Sequence, residues 1–284
     1  MDYFDLIAGT STGGIIALCL GLGLPAESVA TFYKRHGPRL FREWWGVSLL
    51  GCAKHLLFAK HSARRLQDAL TGIFGDRRLG EASTRLVIPA FHVVEGQVHL
   101  FKTAHDARFA RDCQLSAVDV AMATSAAPTF LPARLVESGD ELVDGGVWAN
   151  CPVLVGVIEA IRFLGKRPEE LSVLSVGTTN GVFAIPKRTR RWGGVLPWGP
   201  HVVQLMMAGQ ASAALAQAGL LLGKGRITRI DETVPQSRAR LDDWRHLDEL
   251  EGRASFQARH RGGEIEKAFF RERRAEFVPV KPGS

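Results

Sequence analysis

Cysteine is scarce: Cys19, Cys52, Cys113 and Cys151 form no C-x-x-C pair and lie in apolar surroundings. That excludes a disulfide framework or a zinc ribbon and fits reduced thiols in a cytoplasm. No basic n-region precedes the apolar run from Ile15 to Leu24, since Asp2 and Asp5 stand there instead, so the run does not read as a signal peptide. It is also too short to span a bilayer. The apolar stretch 201–223 is long enough, but Gln204, Gln210 and Gln217 interrupt it. Its Ala/Gly/Leu mixture predicts a helix packed inside a soluble protein, so no transmembrane segment is expected. There is no G-x-G-x-x-G fingerprint and no Gly-Lys-Ser/Thr loop, which argues against dinucleotide and P-loop sites. No metal-ligand spacing, internal repeat or low-complexity segment is visible. No metal and no cofactor are therefore expected.

The charge is positive but diffuse. Lysine and arginine number 36 against 29 acidic residues, a net charge of +7. Such a surplus favours anionic partners. Most basic residues are scattered, and the two local clusters, 187–192 (KRTRRW) and 271–274 (RERR), come without any zinc-finger, RNA-binding or DNA-reading pattern. A nucleic-acid polymer is not an expected partner.

What is present is an alternation of strands and helices. Phe4 to Ala8 reads as a buried strand and Ile15 to Leu22 as an apolar helix, with a second helix starting near Pro25. Residues 34–62 resist a single assignment. Ala63 to Phe74 is an amphipathic helix, and 86–94 with 97–103 make a hairpin about Glu95-Gly96. Ser116 caps a helix with Asp119 at its N3 position, and Pro152 opens another that runs to Leu164. Strands are expected at 171–176 and 226–231, a Gly/Pro/Trp-rich excursion from the core at 181–200, a long helix after it, and a polar helix near the C-terminus. This order argues for an α/β layered fold, with 1–284 as one domain.

The stretch FDLIAGTSTGGIIAL carries chemistry. Gly9, Thr10, Ser11, Thr12 and Gly13 form G-x-S-x-G between a strand and a helix, the setting of a nucleophile elbow. Gly9 and Gly13 are expected to be small because the turn crowds strand against helix, and Gly14 extends that tolerance. The helix N-terminus offers free N–H groups and a positive dipole end to an oxyanion at Ser11. The alternative is a glycine-rich turn that only packs closely or cradles a phosphate.

A serine needs a base. His201, His246 and His260 lie downstream and would suit a Ser-His-Asp esterase, though ten residues before the serine cannot hold that fold's strands. Asp144 is the other candidate. It ends the apolar run Leu142-Val143 and is followed by Gly145 and Gly146, which permit close backbone approach. Taken alone, an Asp-Gly pair is also an ordinary turn.

The elbow G-T-S-T-G-G, with D-G-G and then Asn150 and Pro152 downstream, resembles the patatin-like phospholipases. Residues 125–130 (SAAPTF), 174–178 (LSVGT) and 226–230 (RITRI) extend the likeness over most of the chain. The resemblance implies a three-layer α/β/α fold about a largely parallel sheet. It implies a Ser11–Asp144 dyad without histidine, the Thr12 N–H as oxyanion donor, and ester hydrolysis of phospholipid or other lipids through an acyl-serine. The opening run is similar to bacterial cytoplasmic members, some of them antiphage effectors switched on by a cyclic dinucleotide; the implied location is the cytoplasm, peripheral to the inner membrane face. A catalytically silent lipid- or nucleotide-binding relative remains the alternative. Residues 187–198 (KRTRRWGGVLPW) mix cations with tryptophan and suit an anionic bilayer interface. The family's glycine-rich oxyanion loop, on a strand before the elbow, has no counterpart here. The expectation is therefore an N-terminally truncated domain lacking its first strand, with exposed apolar surface beside Phe4 and Leu6, weakly active and prone to aggregate.

Overall fold

The computed structural model describes residues 2–40, 61–178, 180–181, 185–234 and 246–280. Most of the unassignable stretch 34–62, together with Cys52, lies outside the described residues, as do 182–184 of the expected excursion; residues 34–40 continue the second helix.

The chain opens with strand β1 (Leu6–Ala8), helices α1 (Thr12–Gly21), α2 (Ala26–Leu40) and α3 (Ala63–Phe74), and the hairpin β2 (Arg85–His92) and β3 (Gln97–Lys102). Gly96 takes φ 66° in the turn, the left-handed value that glycine allows. Helix α4 (Ala117–Thr124) follows, and Ser116 Oγ accepts the Asp119 N–H at 3.0 Å, the cap that its sequence predicts. Then come β4 (Arg134–Leu135), β5 (Glu141–Asp144), the single turn α5 (Gly146–Ala149), α6 (Val153–Phe163) and β6 (Val173–Val176). The chain continues through β7 (Asn180–Gly181), α7 (Lys187–Trp192), α8 (Val195–Leu222), β8 (Ile227–Ile230), β9 (Thr233–Val234) and α9 (Leu247–Phe269).

Pairing is mixed. β1–β2, β6–β8 and β7–β9 are parallel, while β2–β3, β2–β5 and β4–β5 are antiparallel. The registers fix one arrangement that matters for function. Val87 pairs with both Ala8 and Lys102, and Ala90 pairs with both His99 and Asp144. β3 therefore takes one edge of β2, and β1 and β5 share the other. They run in opposite directions along it, so their C-terminal ends face each other across Ile88-Pro89. Val87 and Val93 direct backbone bonds to this shared edge, to Gly9 at 3.2 Å and Glu141 at 3.0 Å. By alternation Pro89 faces the gap between the two strands, where its missing N–H leaves no ladder bond unmade.

Helices cover both faces of β2. Leu86, Ile88 and Ala90 point into the main core with Leu18, Leu70, Phe74, Val120 and Ala123 of α1, α3 and α4. On the opposite face Ala8, paired with Val87, meets α6, where a Cβ on Gly156 would stand 3.3 Å from the Ala8 Cβ. This is a three-layer α/β/α arrangement. A second cluster joins Val153 and Val157 of α6 to Ala218 and Leu222 of α8, with Val173 and Ile227 of the β6–β8 pair.

Two expectations are corrected. Residues 187–192 form a helix, and α8 begins at Val195 rather than near 201, so most of the excursion is helical. Helix α8 is also not packed inside the protein: one side meets α6 and most of its surface is exposed. Its composition without formal charge describes a core helix and a surface helix equally well. By length and composition alone, Pro197–Leu222 is also apolar enough to cross a membrane. The apolar surface expected beside Phe4 is partly covered, since the Phe4 ring stacks at 6.1 Å on Phe269 and meets Phe270 edge-on at 5.9 Å. Cys19 and Cys151 are buried free thiols, and Cys113 is half-buried.

Candidate active site

Ser11 stands where β1 ends and α1 begins, at φ 57° and ψ −124°. A non-glycine residue held at positive φ costs roughly 1–3 kcal/mol, and the surrounding bonds sustain it. The Gly13 N–H donates to Thr10 O and the Gly14 N–H to Ser11 O, both at 2.8 Å. The Ser11 N–H donates to Thr124 Oγ1 at 3.0 Å, and that hydroxyl donates to Pro89 O at 2.6 Å. The Thr10 hydroxyl donates to Ala149 O at 2.7 Å. Thr12 is the first residue of α1, so its N–H has no acceptor within the helix and lies one residue from the Ser11 hydroxyl.

The glycines divide by role. A Cβ on Gly9 would fall 2.1 Å from Gly13 O, and one on Gly14 would fall 2.7 Å from Thr124 Cγ2. The crowding expected at Gly13 itself is absent, because a Cβ there meets nothing within 4 Å. The turn presses on the backbone of residue 13 and needs no missing side chain there.

Asp144 arrives from the opposite end of the same β2 edge. Its carboxylate is buried; Oδ2 accepts the Ser11 hydroxyl at 2.6 Å and Oδ1 accepts the Gly146 N–H at 2.7 Å. Gly145 allows the approach, since a Cβ there would fall 2.3 Å from Pro89 O. Gly146 lies close as well, with an added Cβ 3.1 Å from Asp144 Oδ1. Burial pushes the Asp144 carboxyl up to about 6, against the opposing pull of the hydrogen bonds from Ser11 and Gly146.

No imidazole among the described residues bonds to Ser11 or Asp144. His201 lies in α8, His246 stands 3.9 Å from Glu249, and the His260 ring sits 3.9 Å from that of Phe256. Among the described residues the Asp144 carboxylate and the Ser11 hydroxyl are in direct contact, with no imidazole between them.

The family model for patatin-like phospholipases matches residues 1–157, more than half of the chain and the whole of this site. The chain belongs to that family. The match is supported by curated relatives. A cGAMP-activated phospholipase of Pseudomonas aeruginosa is 31% identical over 236 residues, covering 82% of this chain and 70% of that protein. The cGAMP-activated phospholipase of Vibrio cholerae is 31% identical over 266 residues, covering 84% and 72%. Patatin-like protein 2 of Oryza sativa subsp. indica is 34% identical over 181 residues, covering 57% and 44%. The patatin-like assignment makes the chain a lipid ester hydrolase by family and excludes the esterase of another fold.

Three residues escaped sequence reasoning. Thr124, Thr10 and Pro89 hold the patatin-like elbow, and each acts across a long sequence separation. A fully buried threonine at the end of α4 is their one local sign, and it is visible once burial is known.

Proposed function

We propose that this protein hydrolyses acyl esters of phospholipids with Ser11 as nucleophile and Asp144 as general base. The observation that carries the reading is the 2.6 Å bond between the hydroxyl of Ser11, whose backbone is held at positive φ, and the buried Asp144 carboxylate. As Ser11 Oγ attacks the ester carbonyl carbon, its proton passes to Asp144 Oδ2. The negative charge collects on the former carbonyl oxygen, where the Thr12 N–H and the positive end of α1 oppose it. Collapse breaks the bond to the alcohol, which takes the proton from Asp144, and leaves an acyl-serine. Water then gives a proton to Asp144 and attacks the acyl carbon; the bond to Ser11 Oγ breaks, Oγ takes the proton back from Asp144, and the fatty acid leaves.

A carboxylate is a weak base for a hydroxyl. Raising Asp144 to about 6 narrows that gap while leaving it ionised at neutral pH. The test is hydrolysis of p-nitrophenyl butyrate together with labelling by a fluorophosphonate. The parent should turn over and label, and Ser11→Ala should do neither. A folded parent that neither labels nor hydrolyses would make the chain a silent lipid-binding relative.

The second element of the reading is control by a cyclic dinucleotide, with the protein placed in the cytoplasm at the membrane face. The names of the relatives from Pseudomonas aeruginosa and Vibrio cholerae support the control by a cyclic dinucleotide. Added cGAMP should raise the rate of the parent and leave Ser11→Ala at background. An unchanged rate across a full titration removes this element and leaves the hydrolase reading intact.

A further inference from the structure

We propose that the outer face of α8, with the basic helix α7 at its head, docks on an anionic lipid bilayer with α8 lying in the membrane plane. The first ground is the helix itself. From Val195 to Leu222 it holds no Asp, Glu, Lys or Arg, and at 1.5 Å per residue it runs about 40 Å. Ala211, Ala214, Leu215, Ala218 and Leu222 pack toward α6. Val195, Val202, Met206 and Leu220, at spacings of seven, four and fourteen, line the other side, with Val203 beside them. Val203 is 64%, Met206 57% and Leu220 87% exposed. A helix without formal charge, covered on one side and with valine, methionine and leucine exposed on the other, offers that outer side to an apolar neighbour.

Charge identifies that neighbour. Between Glu170 and Asp231 there are seven lysines and arginines and no carboxylate, so this stretch carries the entire +7 surplus and the rest of the chain is neutral. Lys187, Arg188, Arg190 and Arg191 are exposed on α7, beside Trp192, which is 77% exposed. The link between α7 and the head of α8 is tight, since a Cβ on Gly193 would fall 3.0 Å from Trp198. A twofold contact with a second copy through this face would set these cations against one another, whereas an anionic bilayer complements both the cations and the apolar strip. Because α6 holds one side of α8, the helix lies along the membrane and does not cross it.

The site is within reach. Gln210 Nε2 donates to Val147 O at 2.8 Å, three residues beyond Asp144, so the same helix borders the turn that carries the carboxylate. The proposal rests on the hydrolase reading for its purpose alone, and its test is independent of turnover. Sedimentation of the full chain carrying Ser11→Ala is measured with pure phosphatidylcholine vesicles and with equimolar phosphatidylcholine and phosphatidylglycerol. Binding should require the anionic lipid. Removing three cations as R188Q/R190Q/R191Q should weaken it roughly a hundredfold, and V203E/M206E should abolish it. Both sets, placed in the parent with intact Ser11, should keep its hydrolysis of p-nitrophenyl butyrate. Equal binding to both vesicles, or undiminished binding by either set, overturns the proposal. So does a parent that is a dimer, binds no vesicles and is made monomeric by V203E/M206E. Anion-dependent binding in a parent that hydrolyses no ester supports the docking and defeats the hydrolase.

Discussion

The two ends of the molecule are built by opposite rules. Around α1, α4 and β2 nearly every apolar side chain is enclosed: Leu18, Leu70, Phe74, Leu86, Ile88 and Val120 are fully buried. Ser11 and Asp144 are held there, the first by the Thr124 hydroxyl on its N–H and the second by the Gly146 N–H on its carboxylate. From β6 to β8 the chain leaves its long helix largely bare, with four basic residues on the short helix at its head. The first region spends its hydrophobic residues on positioning two atoms. The second keeps them on the surface, where only a partner can cover them. Apolar composition alone therefore says nothing about which task a helix serves.

The largest effect that sharpens this contrast is catalytic. Ser11→Ala and Asp144→Asn should each lower kcat for p-nitrophenyl butyrate by about four orders of magnitude or more, with the double variant hardly worse, because the pair acts as a unit. Effects that add would separate the two roles. Next comes packing. Leu18→Ala should lose about 3–5 kcal/mol in urea unfolding, whereas Leu220→Ala should stay within about 0.5 kcal/mol. Similar losses for both would erase the distinction between the regions.

A third test uses pH. The native Asp144 carboxyl titrates near 6 instead of in the usual carboxylate range near 3.8, so between these values the folded protein binds more protons than the unfolded chain. Stability from this group thus falls as pH rises from about 4 to about 6, by about 3 kcal/mol in total. Asp144→Asn should flatten that slope in urea titrations at successive pH values. Activity should move the other way, rising through about pH 6 as the base ionises. The smallest effect concerns the elbow. Gly13→Ala should stabilise by about 0.5–1 kcal/mol, as open space and helical backbone allow, while Gly14→Ala should destabilise by clashing with Thr124. Thermal melts of the two compare them directly.

What could be read in the sequence was local. The elbow is one contiguous strand, turn and helix, and the cap at Ser116 spans three residues. The hairpin about Gly96 is equally short in range. The pairing of Ser11 with Asp144 joins residues 133 apart, and it was reached through the likeness to a family rather than through spacing. Thr124, which fixes the Ser11 backbone from 113 residues away, left no mark to follow. Gly13 shows the converse error, since a motif glycine was credited with a packing need that its surroundings do not impose. Helix α8 was misjudged because burial is decided by what packs against a face, and neither period nor composition records that.

The carbonyl of Pro89 has a further consequence. It accepts the Thr124 hydroxyl that grips the Ser11 backbone, and it is the atom against which Gly145, next to Asp144, is seated. Ser11 and Asp144 are therefore surveyed from a single datum in the middle of β2. A shift of Pro89 therefore displaces the seats of both groups together. Two side chains 133 residues apart thus meet at 2.6 Å by sharing one mounting point, like two instruments bolted to one beam.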